Sequence, residues 1–200
     1  MADTSALRGT HAVVTGATTP LARVVAVALA EAGATVSVTT VAAVLAEEVQ
    51  ANSILNETWS AGSQGQAKTV DLASAASVED AFEALEREVA PIDLLANVLA
   101  VPADADATGM ASACEAAAAR MLRRGRGRIV NVVPAEASPA GRAAVVALSQ
   151  RLAAEAGGRG VEVCTIAVDG AAPLELRAAL VAVAAGTAGV DVGATIGARG

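Results

Sequence analysis

Tyrosine is absent from this sequence, and phenylalanine, tryptophan and histidine occur once each. Acid–base chemistry must therefore do without a phenol and with one imidazole, His11. Cysteine is nearly absent too. Cys114 lies in an Ala-rich helical stretch and Cys164 in a strand-like run, with no CxxC and no His pair nearby, so neither a metal site nor a disulfide framework is indicated. Both read as buried free thiols. Basic residues are outnumbered 14 to 21 by acidic ones, giving a net charge of −7 and a pI near 4.7. Nucleic acid, which needs a basic footprint to displace counterions, is excluded as a partner. Although 54% of residues are hydrophobic and the mean hydropathy is +0.52, no apolar run reaches the roughly 18 residues of a membrane span. Charges at Glu31, Glu47, Asp71, Asp93, Arg120 and Glu155 interrupt the pattern. Met1 to Arg8 lacks a basic stretch followed by an apolar segment, so a cytoplasmic location is expected.

What remains is an Ala- and Val-rich chain whose 200 residues suit a single domain spanning positions 1–200. Short β-branched runs alternate with longer Ala-rich helical runs, which points to an α/β fold with a doubly wound parallel sheet of about seven strands. Strands are expected at His11–Thr15, Thr35–Thr39, Ala67–Val70, Leu94–Asn97, Arg128–Val133, Val161–Ala167 and Asp191–Ile196. Helices are expected at Leu21–Ala32, Val41–Leu55, Ser77–Val89, Thr108–Arg124, Arg142–Ala156 and Leu174–Ala185. The strands are continuously apolar, as they are when helices cover both faces of a sheet. Ser77 and Asp80 suggest a capping box, and Gly33 a left-handed helix end. Asn52–Gln66 reads as an irregular surface loop, with Trp59 plugging a core edge. Arg120, Arg123, Arg124, Arg126 and Arg128 read as the cationic end of a helix, not as a phosphate site.

In such a sheet a dinucleotide lies across the C-terminal strand ends, its phosphates at the N-terminus of the first helix. Here that place is Thr15-Gly16-Ala17-Thr18-Thr19-Pro20-Leu21-Ala22-Arg23. The stretch resembles the TGxxxGxG opening of short-chain dehydrogenases/reductases, a family with a Rossmann-like fold, but only Gly16 of the three glycines is kept. Pro20 and Ala22 replace the other two. Pro20, with Thr19 before it as a cap, suits a helix start but brings bulk and no N–H donor. The resemblance thus implies NAD or NADP as cofactor, weakly bound, with Gly16, Thr18, Leu21, Asp71, Leu72 and Asn97 as the binding positions. Asp71 and Leu72 match the family's adenine-contacting pair, and Ile92 to Ala100 its DxLVNNAG strand with one Asn kept, Asn97. Each also has a structural reading, Asp71 closing a turn and Asn97 bonding across strand ends. Thr40 and Val41 stand where an acid or base would grip the adenosine ribose, and neither does so.

The resemblance places the family's Asn–Ser–Tyr–Lys catalytic set at Asp106, Pro134, Ser138 and Arg142, so all four are changed. Arg stays protonated, and a serine hydroxyl needs an adjacent base that His11, on the first strand, is too distant to be. No catalytic residue is assigned on this reading. The family's substrate loops are shortened around Asp106, Pro134 and Pro173. The expected function is a non-catalytic scaffold or partner subunit, a pseudoenzyme. The alternatives are an NAD(P)-dependent oxidoreductase with non-standard or partner-supplied groups, and a nucleotide-responsive regulator. In the family, the helices matching Thr108–Arg124 and Arg142–Ala156 pack on another subunit. Their small residues, Ala111, Ala113, Ala116 to Ala119, Ala143, Ala144 and Ala147, suggest a homo-oligomer or a hetero-oligomer with a related subunit.

Overall fold

Seven strands form one sheet in the order β3-β2-β1-β4-β5-β6-β7, every neighbouring pair parallel. The structure is a computed structural model that describes residues 5–17, 19–41, 44–99, 106–169, 173–187 and 195–197. The strands are β1 (His11–Val14), β2 (Thr35–Thr40), β3 (Ala67–Thr69), β4 (Leu94–Val98), β5 (Gly127–Val133), β6 (Val161–Asp169) and β7 (Thr195–Gly197). Between them run α1 (Pro20–Glu31), α2 (Leu45–Ser60), α3 (Ala75–Glu88), α4 (Asp106–Arg124), α5 (Pro139–Ala156) and α6 (Pro173–Ala184). The strand order reverses between β1 and β4, the place where such sheets open a crevice for a ligand.

Strand alternation sorts the core onto two faces. Ala12, Val14, Leu94, Ala96, Val130 and Val132 pack with Val25 and Leu29 of α1, Ile54 of α2 and Leu180 of α6. Val13, Leu95, Ile129 and Val133 pack with Phe82 of α3, Met121 of α4 and Leu152 of α5. Central strands are therefore apolar on both sides, which explains why the sequence shows runs and not alternation. Phe82, the one phenylalanine, is fully buried, a burial that contributes about 1.5–3 kcal/mol.

Several boundaries differ from the sequence reading. α2 begins at Leu45 and continues to Ser60, through most of the segment expected to be a loop. Ala51, Ile54, Leu55 and Thr58, at helical spacing, are its buried positions, so tertiary packing overrides a locally polar composition. Trp59 is 48% exposed instead of plugging the core, its indole N–H donating to Gly65 O at 3.1 Å. The N-cap of α3 is Ser74, whose hydroxyl accepts the Ser77 N–H, and not Ser77. The Ser77 hydroxyl accepts the Asp71 N–H instead. α5 starts at Pro139 behind a Ser138 cap, one turn earlier than Arg142. Gly33 takes the left-handed conformation expected of it, with φ 96. Of β7's expected span, positions 191–194 lie outside the described residues.

The small residues of α4 are not a free face. Ala113 and Ala117 are fully buried, and Ala116 and Ala118 nearly so, within the α3–α4–α5 side of this chain's own core. Of the small residues singled out on the two helices, Ala119 of α4 and Ala143, Ala144 and Ala147 of α5 are exposed. Among the described residues no helix is long and apolar enough to cross a membrane.

Candidate functional site

The crevice between β1 and β4 is bordered by the turn into α1. Gly16 holds φ 70, and a Cβ placed on it would lie 2.8 Å from Val98 O at the end of β4. Both the dihedral and the approach of the neighbouring strand demand glycine there. Thr19 closes the turn: its N–H donates to Gly16 O at 2.9 Å and its hydroxyl to the same oxygen at 3.0 Å. The same hydroxyl accepts the Ala22 N–H at 3.1 Å, and Pro20 takes the first helical position. This is the cap-then-proline start read from the sequence. Its electrostatic consequence is a thinner set of donors. Pro20 has none and Ala22's is engaged, so Leu21 carries the remaining amide among these three, in the first turn where no intrahelical acceptor exists. Thr18 lies outside the described residues.

The other cofactor positions divide between surface and interior. Asp71 is exposed and closes a turn, its Oδ1 accepting the Ala73 N–H at 3.0 Å and its carbonyl the Ser74 N–H at 3.0 Å. Leu72 is packed on the core beneath α4, so close that a Cβ on Gly109 would stand 2.7 Å from its Cβ. Asn97 is fully buried. It accepts from the Thr15 hydroxyl and donates to Met110 O at 3.0 Å and Cys114 Sγ at 3.3 Å. Its amide is thus engaged in the interior, where the sequence left a cofactor contact and a bond across strand ends both open.

That amide opens a polar chain which sequence reasoning missed. The Cys114 thiol donates to Asn131 Oδ1 at 3.2 Å, Asn131 Nδ2 donates to Ser149 Oγ at 2.8 Å, and Ser149 Oγ lies 2.7 Å from Thr165 Oγ1. Six side chains, Thr15 just past β1 and one each from β4, α4, β5, α5 and β6, are so linked, all buried. The signal for it was a lone Asn inside each of two apolar strand runs, LLANV and RIVNVV. Both thiols are buried as expected. Desolvation pushes Cys114 up to about 12 and Cys164 up to about 11.

Beyond the crevice, Pro134 is buried just past the end of β5. Ser138 Oγ caps α5 by accepting the Gly141 N–H at 3.0 Å, and Arg142, one turn on, donates to Ala135 O at 3.3 Å. Asp106 opens α4, and its side chain is outside the described set. A broad open groove of about 510 Å3 runs along α5 between Pro139 and Gln150, with Arg142 in its wall.

His11 and the arginines stand at the opposite, N-terminal end of the sheet. His11 Nδ1 lies 2.6 Å from Ala90 O and Nε2 2.9 Å from the Ser37 hydroxyl, and burial lowers its pKa from 6.5. Arg120 is buried, paired to Glu79 at 2.6 Å and to Glu86 at 3.3 Å, with its guanidinium 5.8 Å from the Phe82 ring centre. Arg124 pairs with Glu86 and Arg126 with Asp93. Arg128 pairs with Glu162 and donates to Val183 O and Ala184 O at the end of α6. Four of the five thus tie elements together, more than a dipole at one helix end would require.

These features agree with what the chain is similar to. Residues 10–173 match the family model described as short chain dehydrogenase. D-threitol dehydrogenase of Mycolicibacterium smegmatis is 35% identical over 187 residues, covering 80% of this chain and 69% of that protein. Among solved structures, a short-chain type dehydrogenase/reductase from Mycobacterium marinum superposes with TM-score 0.84 at 21% identity, covering 98% of this chain and 95% of that one. A gluconate 5-dehydrogenase from Burkholderia cenocepacia, in complex with NADP and tartrate, gives 0.77 at 23% identity, covering 98% and 96%. The expectation of a non-catalytic scaffold or partner subunit is thereby overturned, because the relative with real sequence identity is a named dehydrogenase and the match runs through both halves of the site. The chain belongs to the short-chain dehydrogenase family.

Proposed function

We propose that the chain is an NAD(P)-dependent oxidoreductase that interconverts a secondary alcohol and a carbonyl on a small polyol-like substrate. The observation that carries this reading is the β1–α1 turn, where Gly16 at φ 70 passes under Val98 O at the point of strand reversal. A side chain there would strike the neighbouring strand, so glycine keeps the turn tight at the point where sheets of this kind bind a dinucleotide. The residues fit a dinucleotide with fewer phosphate donors than three glycines would provide. The Leu21 amide, at the positive end of α1, would hold the phosphate. The nicotinamide, when bound, supplies the hydride acceptor or donor. The substrate hydroxyl needs a group that favours its alkoxide, and the Arg142 guanidinium, charged at any working pH, does so without a phenol. Ser138, one turn before it, orients the hydroxyl, whose proton passes to solvent.

The test is turnover of D-threitol and related polyols by the purified chain with NAD+ or NADP+, followed by nicotinamide absorbance. We expect slow turnover that falls on the order of a hundredfold in Arg142→Ala. Pro20→Gly combined with Ala22→Gly, which restores a donor, tightens dinucleotide binding. Absence of both turnover and dinucleotide binding overturns the reading.

A further inference from the structure

Among the described residues five large hydrophobic side chains are exposed, and they gather at one place: Val41 and Val44 precede α2, and Leu45, Val49 and Trp59 lie on it. Leu45, Val49, Asn52, Asn56 and Trp59 follow one another four and three residues apart in turn. All are exposed, opposite the buried positions Ala51, Ile54, Leu55 and Thr58. That spacing is the seam of a two-helix coiled coil, in which an asparagine fixes register. α2 thus has two apolar faces, one turned to its own core and one turned outward. Beside the seam runs a shallow trough of about 540 Å3 whose wall includes Val49, Asn52, Ser53 and Asn56. Residues so spaced form the hole that takes one side chain of a facing helix. The indole of Trp59 is held by its bond to Gly65 O at 3.1 Å, so little freedom is lost when it is covered.

We infer that a second copy of this chain covers the outward face, its α2 lying antiparallel to the first about a two-fold axis. With Asn52 of each copy beside Asn56 of the other, Val49 meets Trp59 and Asn56 enters the trough. Each amide then donates and accepts within one layer, and the two-fold axis repeats every contact. Charge selects the direction. Glu47 and Glu48 open α2, and no basic residue stands in its last turn. Parallel pairing would bring four carboxylates together, whereas antiparallel pairing holds them at opposite ends. The 16 residues of α2 make a helix about 24 Å long. Two such faces cover on the order of 1,000 Å2 in total, the lower limit for a specific contact. The dimer is therefore weak, with a Kd of about 10–100 µM.

Sedimentation of the whole chain across this concentration range tests the pairing, and Trp59, the one tryptophan, reports on it without any variant. The wild type is expected to associate, with Trp59 emission moving to shorter wavelength as concentration rises. Val49→Glu, at an exposed position, should weaken association about tenfold or more, whereas Ala147→Glu on α5 should leave this step unchanged. A wild type with no concentration-dependent association up to about 500 µM overturns the inference. Association lost in Ala147→Glu and kept in Val49→Glu overturns it as well. Direction is tested by mixing chains carrying Asn52→Cys with chains carrying Asn56→Cys and oxidising them with diamide, the two native thiols being buried. The mixed disulfide is expected to exceed either homodimer, and preferential homodimers overturn the antiparallel arrangement.

Discussion

Truncating Asn97 to alanine should damage the fold in proportion to the polar chain it opens. Asn97 is fully buried, accepts from Thr15, and donates to Met110 O and to Cys114. Its loss leaves the Thr15 hydroxyl without its acceptor, and an unsatisfied buried polar group costs about 1–3 kcal/mol. The emptied volume adds roughly 1 kcal/mol for a methyl-sized void. Together these give ~2–4 kcal/mol, a large share of the ~5–15 kcal/mol that holds a typical domain folded. For a chain of this size each kcal/mol lowers Tm by about 2–4 °C, so a fall of roughly 5–15 °C is expected. Urea and thermal melts followed by circular dichroism measure it. Asp71→Ala is the control: it removes an exposed turn acceptor and should cost no more than about 0.5–1 kcal/mol. If Asn97→Ala loses less than about 1 kcal/mol while Asp71→Ala loses more, the assignment of Asn97 to the interior and Asp71 to the surface is wrong.

Two further outcomes follow from the buried titratable groups. Burial lowers the His11 pKa from its ordinary 6.5, so the folded chain holds the ring neutral where the unfolded chain would protonate it. The stability this contributes is present above about pH 6.5 and is lost as pH falls from there through the folded value, so the difference in stability between wild type and His11→Gln should shrink from pH 7 to 5; a constant difference refutes this. With their thiols pushed up to about 12 and about 11, Cys114 and Cys164 should resist a thiol reagent at neutral pH until the chain unfolds, and labelling of the native chain at the rate of a free thiol would contradict their burial.

Much of the scaffold was legible because it depends on periodicity and on local chemistry. The apolar run HAVV and the Thr19–Pro20 start of α1 need nothing beyond themselves to be read. The helical course of Asn52 to Ser60 was not legible. Its polar composition favours a loop, and only packing of Ile54, Leu55 and Thr58 onto the rest of the chain makes it helix. Ser74 and Ser77 illustrate a finer ambiguity. Either hydroxyl is a capable cap, and the turn at Asp71 decides by taking Ser77 for itself.

The candidate site divides along the same line. The sequence by itself determined the parallel sheet, the strand reversal it implies, and the turn at Gly16, because each rests on backbone rules that act over a few residues. Tertiary structure alone decided that Asn97 turns inward to Cys114 and that the arginines tie α3 to α4 and β5 to α6. Those partners lie on different elements, and hydrogen bonds and charge act through space, where neighbours along the chain carry no record of them.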